Sequence, residues 1–133
     1  YTFSYPTGWK ESESGVPEGS GQVVYLQPPT ANPSIKPHVL IKVTPATAKA
    51  VAANNEVYVI LKYKKTEEEV NGTPAQKYSN VLQSEHGPLH SIAYVFQKNG
   101  NLYLVELGYT QTAADPQLEN EFNQLVTSFV IEK

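Results

Sequence analysis

Three histidines are the first residues whose type and spacing could do chemistry: His38, and the two in His86-Gly-Pro-Leu-His90. Imidazoles four residues apart line up on a helix and suit a divalent metal. Gly87 and Pro88 exclude a helix there, so the spacing loses its geometric meaning. A metal would need a third ligand, His38 or Glu85, brought in by the fold, and no metal site is expected. Glu67-Glu68-Glu69 could suggest a cation, but alternation along a strand throws Glu68 to the face opposite its neighbours. A charged edge strand that resists aggregation fits those residues better. Ser79, Ser84 and Ser91 are candidate nucleophiles, yet none sits in a sharp Gly-x-Ser-x-Gly turn. No carboxylate pair stands isolated in apolar surroundings, and no glycine-rich phosphate loop follows a strand. The expectation is a protein without catalytic or cofactor-binding residues.

Composition narrows the partners. All ten basic residues are lysines and the net charge is −3, so the bidentate phosphate fork of arginine is missing and nucleic acid is not expected. The chain has no cysteine, which removes thiol and redox chemistry. No apolar run approaches the ~20 residues of a membrane span. Tyr1 in place of an initiator methionine predicts a chain processed or trimmed ahead of it. With 133 residues the chain fits a single domain over 1–133, large enough to hide roughly two-thirds of its unfolded surface.

The elements that must position any site are organised by Leu89 to Tyr109. Asn99-Gly100 reads as a two-residue type I′ turn, which sets Lys98 against Asn101, Phe96 against Tyr103, Tyr94 against Val105 and Ile92 against Leu107. One face of this hairpin is wholly apolar, and the other is interrupted only by Gln97 and Glu106. A hairpin of this kind belongs inside a sheet covered on both sides. Ahead of it, Tyr1-Thr-Phe-Ser-Tyr5 alternates as a strand, residues 10–20 read as a surface loop, and Gln22–Gln27 and His38–Thr44 read as further strands. Together they favour an antiparallel meander. Val57–Tyr63 would suit a strand on propensity alone, but Asn54 and Asn55 as caps, with Val57, Ile60, Leu61 and Lys64 at helical spacing, favour a helix over 55–64. Thr66–Val70 and Pro74–Gln83 flank Asn71-Gly72 as a second hairpin. Asn71-Gly72-Thr73 matches a glycosylation acceptor, weakened by Pro74 and by the turn chemistry. Asp115 and Pro116 then open a helix whose stripe is Leu118, Phe122, Leu125, Val126 and Phe129, predicted to lie on the wholly apolar face.

Phe3-Ser-Tyr-Pro-Thr-Gly-Trp9, Gly21-Gln-Val-Val-Tyr25, Val43-Thr-Pro45, Asn71-Gly72 with Tyr78, Lys98-Asn-Gly-Asn-Leu-Tyr103 and the closing Phe122 to Phe129 run in one order along the chain. In that order they resemble the PsbP-like domains, the family typified by an extrinsic protein of photosystem II. The resemblance implies an α+β fold, an antiparallel sheet of about six strands sandwiched between helices (α/β/α). It also implies a non-catalytic accessory domain outside the cytoplasm, secreted, periplasmic or lipid-anchored, monomeric, and docking on a protein or membrane complex. The alternative it implies is a photosystem II extrinsic accessory protein of the thylakoid lumen with weak cation binding. Trp9, a large ring just past a strand end, more often plugs the rim of a core than stacks on a ligand. The candidate interaction surface is nonetheless the proline-rich stretch with Pro28, Pro29, Pro33 and Pro37, together with Trp9, where stiff backbone stands beside that ring.

Overall fold

The computed structural model describes residues 8–12, 22–28, 37–85, 87–110 and 115–130. Seven strands form one antiparallel sheet: β1 (Lys10–Ser12), β2 (Gln22–Gln27), β3 (His38–Pro45), β4 (Lys64–Val70), β5 (Thr73–Ser84), β6 (Gly87–Lys98) and β7 (Asn101–Thr110). Their spatial order is β1-β2-β3-β7-β6-β5-β4. The sheet is therefore two meanders, β1 to β3 and β4 to β7. Helix α1 (Ala48–Ile60) carries the chain from β3 to the far edge, where β4 begins, and the second meander returns until β7 pairs with β3.

The central hairpin has the register its turn dictates. Asn99 and Gly100 both take positive φ, 53° and 78°, and Phe96–Tyr103, Tyr94–Val105 and Ile92–Leu107 are paired. Asn71 and Gly72 do the same for β4 and β5. Helix α2 (Pro116–Thr127) starts with the Asp115 carboxylate accepting from the Leu118 N–H, followed at once by Pro116. Leu118, Phe122, Leu125 and Val126 pack with Tyr94, Phe96, Tyr103, Val105 and Leu107, so α2 covers the wholly apolar face. Tyr109 ties the start of α2 to β7: its hydroxyl donates to the Glu119 carboxylate and accepts from the Asp115 N–H.

Two expectations change. The first helix runs over Ala48–Ile60, not 55–64, and Lys64 already belongs to β4. Its cap is Thr47, whose hydroxyl accepts from the Ala50 N–H, so the alanine-rich stretch is helical from its start. That start sets the helix phase. Tyr58 is buried against Tyr78, Ala93, Val95 and Leu102 with Val51 beside them, while Val57, Ile60 and Leu61 point away. Lys10–Ser12 is likewise not loop but the short strand β1, paired with Tyr25–Gln27. Edge pairing through backbone groups needs no apolar alternation, so the sequence carried no signal for it. The strand expected over residues 1–5 lies outside the described residues, as do residues 13–20 of the expected loop.

Candidate functional site

The two helices leave different surfaces. On the α2 face the helix covers the core, leaving beside it a groove of about 400 Å³ lined by Lys77, Ser79, His90, Ile92 and Glu119. On the α1 face the helix touches the sheet mainly through Tyr58, whose ring stacks on Tyr78 at 4.1 Å and meets the edge of Tyr63 at 5.0 Å. Grooves remain on both sides of it. One of about 710 Å³ is lined by Ala46, Val51, Asn55, Tyr78, Val95 and Leu102, and one of about 360 Å³ by Lys42, Ala53, Val57, Leu102 and Leu104.

Strand register brings a polar cluster to this same face. His38 on β3 and Ser91 on β6 both pair with Gly108 on the intervening β7. Gly108 has no side chain to occupy that row, and the His38 imidazole lies across it. A Cβ at Gly108 would stand 2.6 Å from His38 Cε1. Glu106, two residues back on β7, projects on the same side between Leu40 and Ala93. Tyr63 completes the group: its hydroxyl donates to Ser91 Oγ at 2.9 Å, and the Tyr78 hydroxyl donates to Asn55 Oδ1 at 3.1 Å.

Burial dominates the electrostatics of this cluster. It pushes the Glu106 carboxyl above its ordinary range, opposed by the charge of His38. It also raises the Tyr58 hydroxyl, with Glu106 and then Tyr63 and Tyr78 adding to the effect. The Tyr63 hydroxyl is raised by burial, partly offset by its bond to Ser91. The phenol aimed at Ser91 Oγ thus keeps its proton and serves the serine as donor, not as base. Such a group can recognise a polar ligand, but Tyr63 does not activate Ser91 as a nucleophile.

The raised carboxyl has a measurable consequence. A folded-state value above the unfolded one means the native state holds the proton more tightly, so stability falls as pH rises through that interval. Glu106→Gln is expected to be more stable than the wild type at neutral pH, with the difference vanishing below the ordinary carboxylate range. Urea unfolding of both proteins across pH measures this, and equal stability at every pH would refute it.

His38 and His90 are not brought together. His38 faces α1, whereas His90 faces α2, buried and stacked on Tyr109 at 4.7 Å. His86 lies outside the described residues. Among the described residues no three His, Asp or Glu side chains are grouped to hold a metal. Of the proposed ring-and-proline surface, Trp9 is 5% exposed and its indole N–H donates to Glu121 Oε2 at 3.3 Å. Pro28 and Pro37 are buried, and Pro29 and Pro33 lie outside the described residues. The Glu106 cluster has one sequence signal, a carboxylate in the apolar run Leu102-Tyr-Leu-Val-Glu-Leu107. Its partners come from β3, β6 and the end of α1, which no spacing links to it.

No family model and no curated protein matches this sequence. Solved structures do share the fold. Cyanobacterial PsbP (CyanoP) from Synechocystis superposes with a TM-score of 0.68 at 14% identity, over 98% of this chain and 85% of that one. PA94 of Pseudomonas aeruginosa, a protein of unknown function, gives 0.66 at 13% identity over 99% and 97% of the two chains. A Bacteroides thetaiotaomicron protein gives 0.67 at 14% identity, this chain spanning 44% of its length. The α+β fold, one antiparallel sheet with a helix on each face, is thus the fold of PsbP. Among the described residues no helix is long and apolar enough to cross a membrane.

Proposed function

We propose that this chain is a single PsbP-like domain acting as a non-catalytic accessory module outside the cytoplasm, docking on a protein or membrane complex through the outer side of α1. The observation that carries the reading is the end of that helix. Val57, Val59, Ile60 and Leu61 are 52, 67, 66 and 43% exposed, an apolar group at one end of a sheet whose other large side chains are mostly covered. Exposed apolar groups of this kind mark interaction surfaces. The grooves flanking α1 extend the surface, and the Glu106 cluster supplies polar specificity next to it. The stretch from Pro28 to Pro37 is a second docking surface in this proposal, carried by Pro29 and Pro33, with the buried Trp9, Pro28 and Pro37 as its support.

A pull-down from native membranes tests it, with the domain as bait and Val59→Asp/Ile60→Asp as control. Both positions face solvent, so the variant should unfold as the wild type does yet lose most of the captured partner. Undiminished capture would overturn the assignment to α1. The resemblance in fold to cyanobacterial PsbP favours a second reading, a photosystem II extrinsic accessory protein with weak cation binding. Recovery of a photosynthetic complex, dependent on added divalent metal, separates it from an envelope partner.

A further inference from the structure

Strand β4 stands last in the strand order, and no other described strand pairs with its outer edge. Its sequence is Lys64-Lys-Thr-Glu-Glu-Glu-Val70, with every side chain from Lys64 to Glu69 exposed except the half-buried Thr66. Neither helix closes this edge: α1 packs over β5, β6 and β7, and α2 packs mainly on β6 and β7 of the opposite face. Every second residue of β4 turns its backbone groups away from β5, a template for another strand, and the side chains decide which strand is accepted.

We propose that β4 is a self-recognition edge, pairing antiparallel with β4 of a second copy about a two-fold axis through Thr66. Register and charge together set this centre. In an antiparallel pair, directly opposite residues both point their backbone groups toward each other or both away, so a symmetric contact must have one residue facing its own copy. With Thr66 on the axis, Lys65 faces Glu67 of the partner copy and Lys64 faces Glu68, giving four Lys–Glu cross-strand pairs and a central Thr–Thr pair. Opposite charges and paired threonines both stabilise such positions. Sliding the axis by one residue sets Lys65 against Lys65, or Glu67 against Glu67. Within β4 the Lys65 centre keeps no opposite pair, and the Glu67 centre keeps two Lys65–Glu69 pairs around a Glu–Glu contact. The lysine-then-glutamate order therefore favours the Thr66 centre, with four opposite pairs and no like-charged one. The charge that guards this edge against indiscriminate pairing also fits it to one partner, a second copy, which sets aside the expected monomer.

Within one chain these side chains have only loose ties. Lys65 and Glu67 stand 4.0 Å apart, Thr66 Oγ1 donates to Glu68 Oε1 at 3.4 Å, and Gln76 Nε2 donates to Glu67 at 3.5 Å. Such exposed contacts are worth little and exchange readily for cross-strand ones. A strand-to-strand contact of this length buries less than the ~800 Å² per partner of standard stable interfaces, so the dimer is weak and sensitive to salt.

Sedimentation velocity of the whole chain over a concentration series, at low and high salt, is the test. The wild type should move from monomer toward dimer with concentration, and less so at high salt. K64E/K65E and E67K/E68K should each stay monomeric, since every cross-strand pair becomes like-charged. An equimolar mixture of the two should form a heterodimer, and the fourfold variant K64E/K65E/E67K/E68K, whose pairs are again opposite, should regain self-association. A wild type that stays monomeric at the highest concentration and low salt overturns the proposal, leaving the edge to guard duty or to a different chain. Self-association of K64E/K65E equal to the wild type overturns it too. Circular dichroism confirms that each variant is folded, as exposed positions lead one to expect.

Discussion

Phe122→Ala is expected to destabilise the protein by about 3–5 kcal/mol, the usual cost of emptying a large aromatic site. Phe122 is 1% exposed, at the centre of the stripe that α2 lays on the sheet. Its ring is 6.1 Å from that of Tyr94 and is flanked along the helix by Leu118, Leu125 and Val126. Strands on that face cannot close the gap, because their positions are fixed by backbone pairing from β3 to β5. Against a total stability of ~5–15 kcal/mol for a domain, the loss removes a large share of the folded population. Urea unfolding should show a lower midpoint at an unchanged slope. A loss below ~1 kcal/mol would mean that α2 contributes little to the core and that the sheet stands without this cover.

Trp9→Ala should cost a similar ~3–5 kcal/mol, for a related reason. Trp9 immediately precedes β1 and joins the same core as α2, with its indole N–H on Glu121. It links the edge strand of the first meander to the last helix of the chain, elements more than a hundred residues apart. The same variant bears on docking. Capture of partner at a temperature where the variant remains folded separates two roles. Intact capture removes the Trp9 and proline surface from the proposed function and leaves α1. Lost capture in a folded variant would show that the ring reaches a partner as well as the core.

Local chemistry made a good part of this protein legible from its sequence. Asn99-Gly100 and Asn71-Gly72 take positive φ more readily than other pairs, so two hairpins and their registers followed from the turns alone. Asp115-Pro116 and an apolar residue on every third or fourth position defined α2 and the face it covers. The α1 helix shows where such reading fails. Its alanine-rich start and its β-branched end carry no common stripe, so the residues that pack were decided by where Thr47 begins the helix and by Tyr78 on the sheet beneath.

The candidate site belongs to tertiary structure for a similar reason. His38 reaches Glu106 and the row of Ser91 only because β3 pairs with β7, strands separated by a helix and three other strands in sequence. Periodicity assigns each of these residues to a face of its own strand, but not to a neighbour across the sheet. Short-range backbone preferences and alternation govern the turns, the strand faces and the last helix, so each of these can be read directly along the chain, as can the lack of a local catalytic motif. The burial of Trp9 follows the expectation for a ring just past a strand end. Packing between distant segments, by contrast, decides that α1 turns its apolar end outward and that a carboxylate acts on nearby tyrosines. Those outcomes depend on contacts between distant segments, which no local pattern encodes.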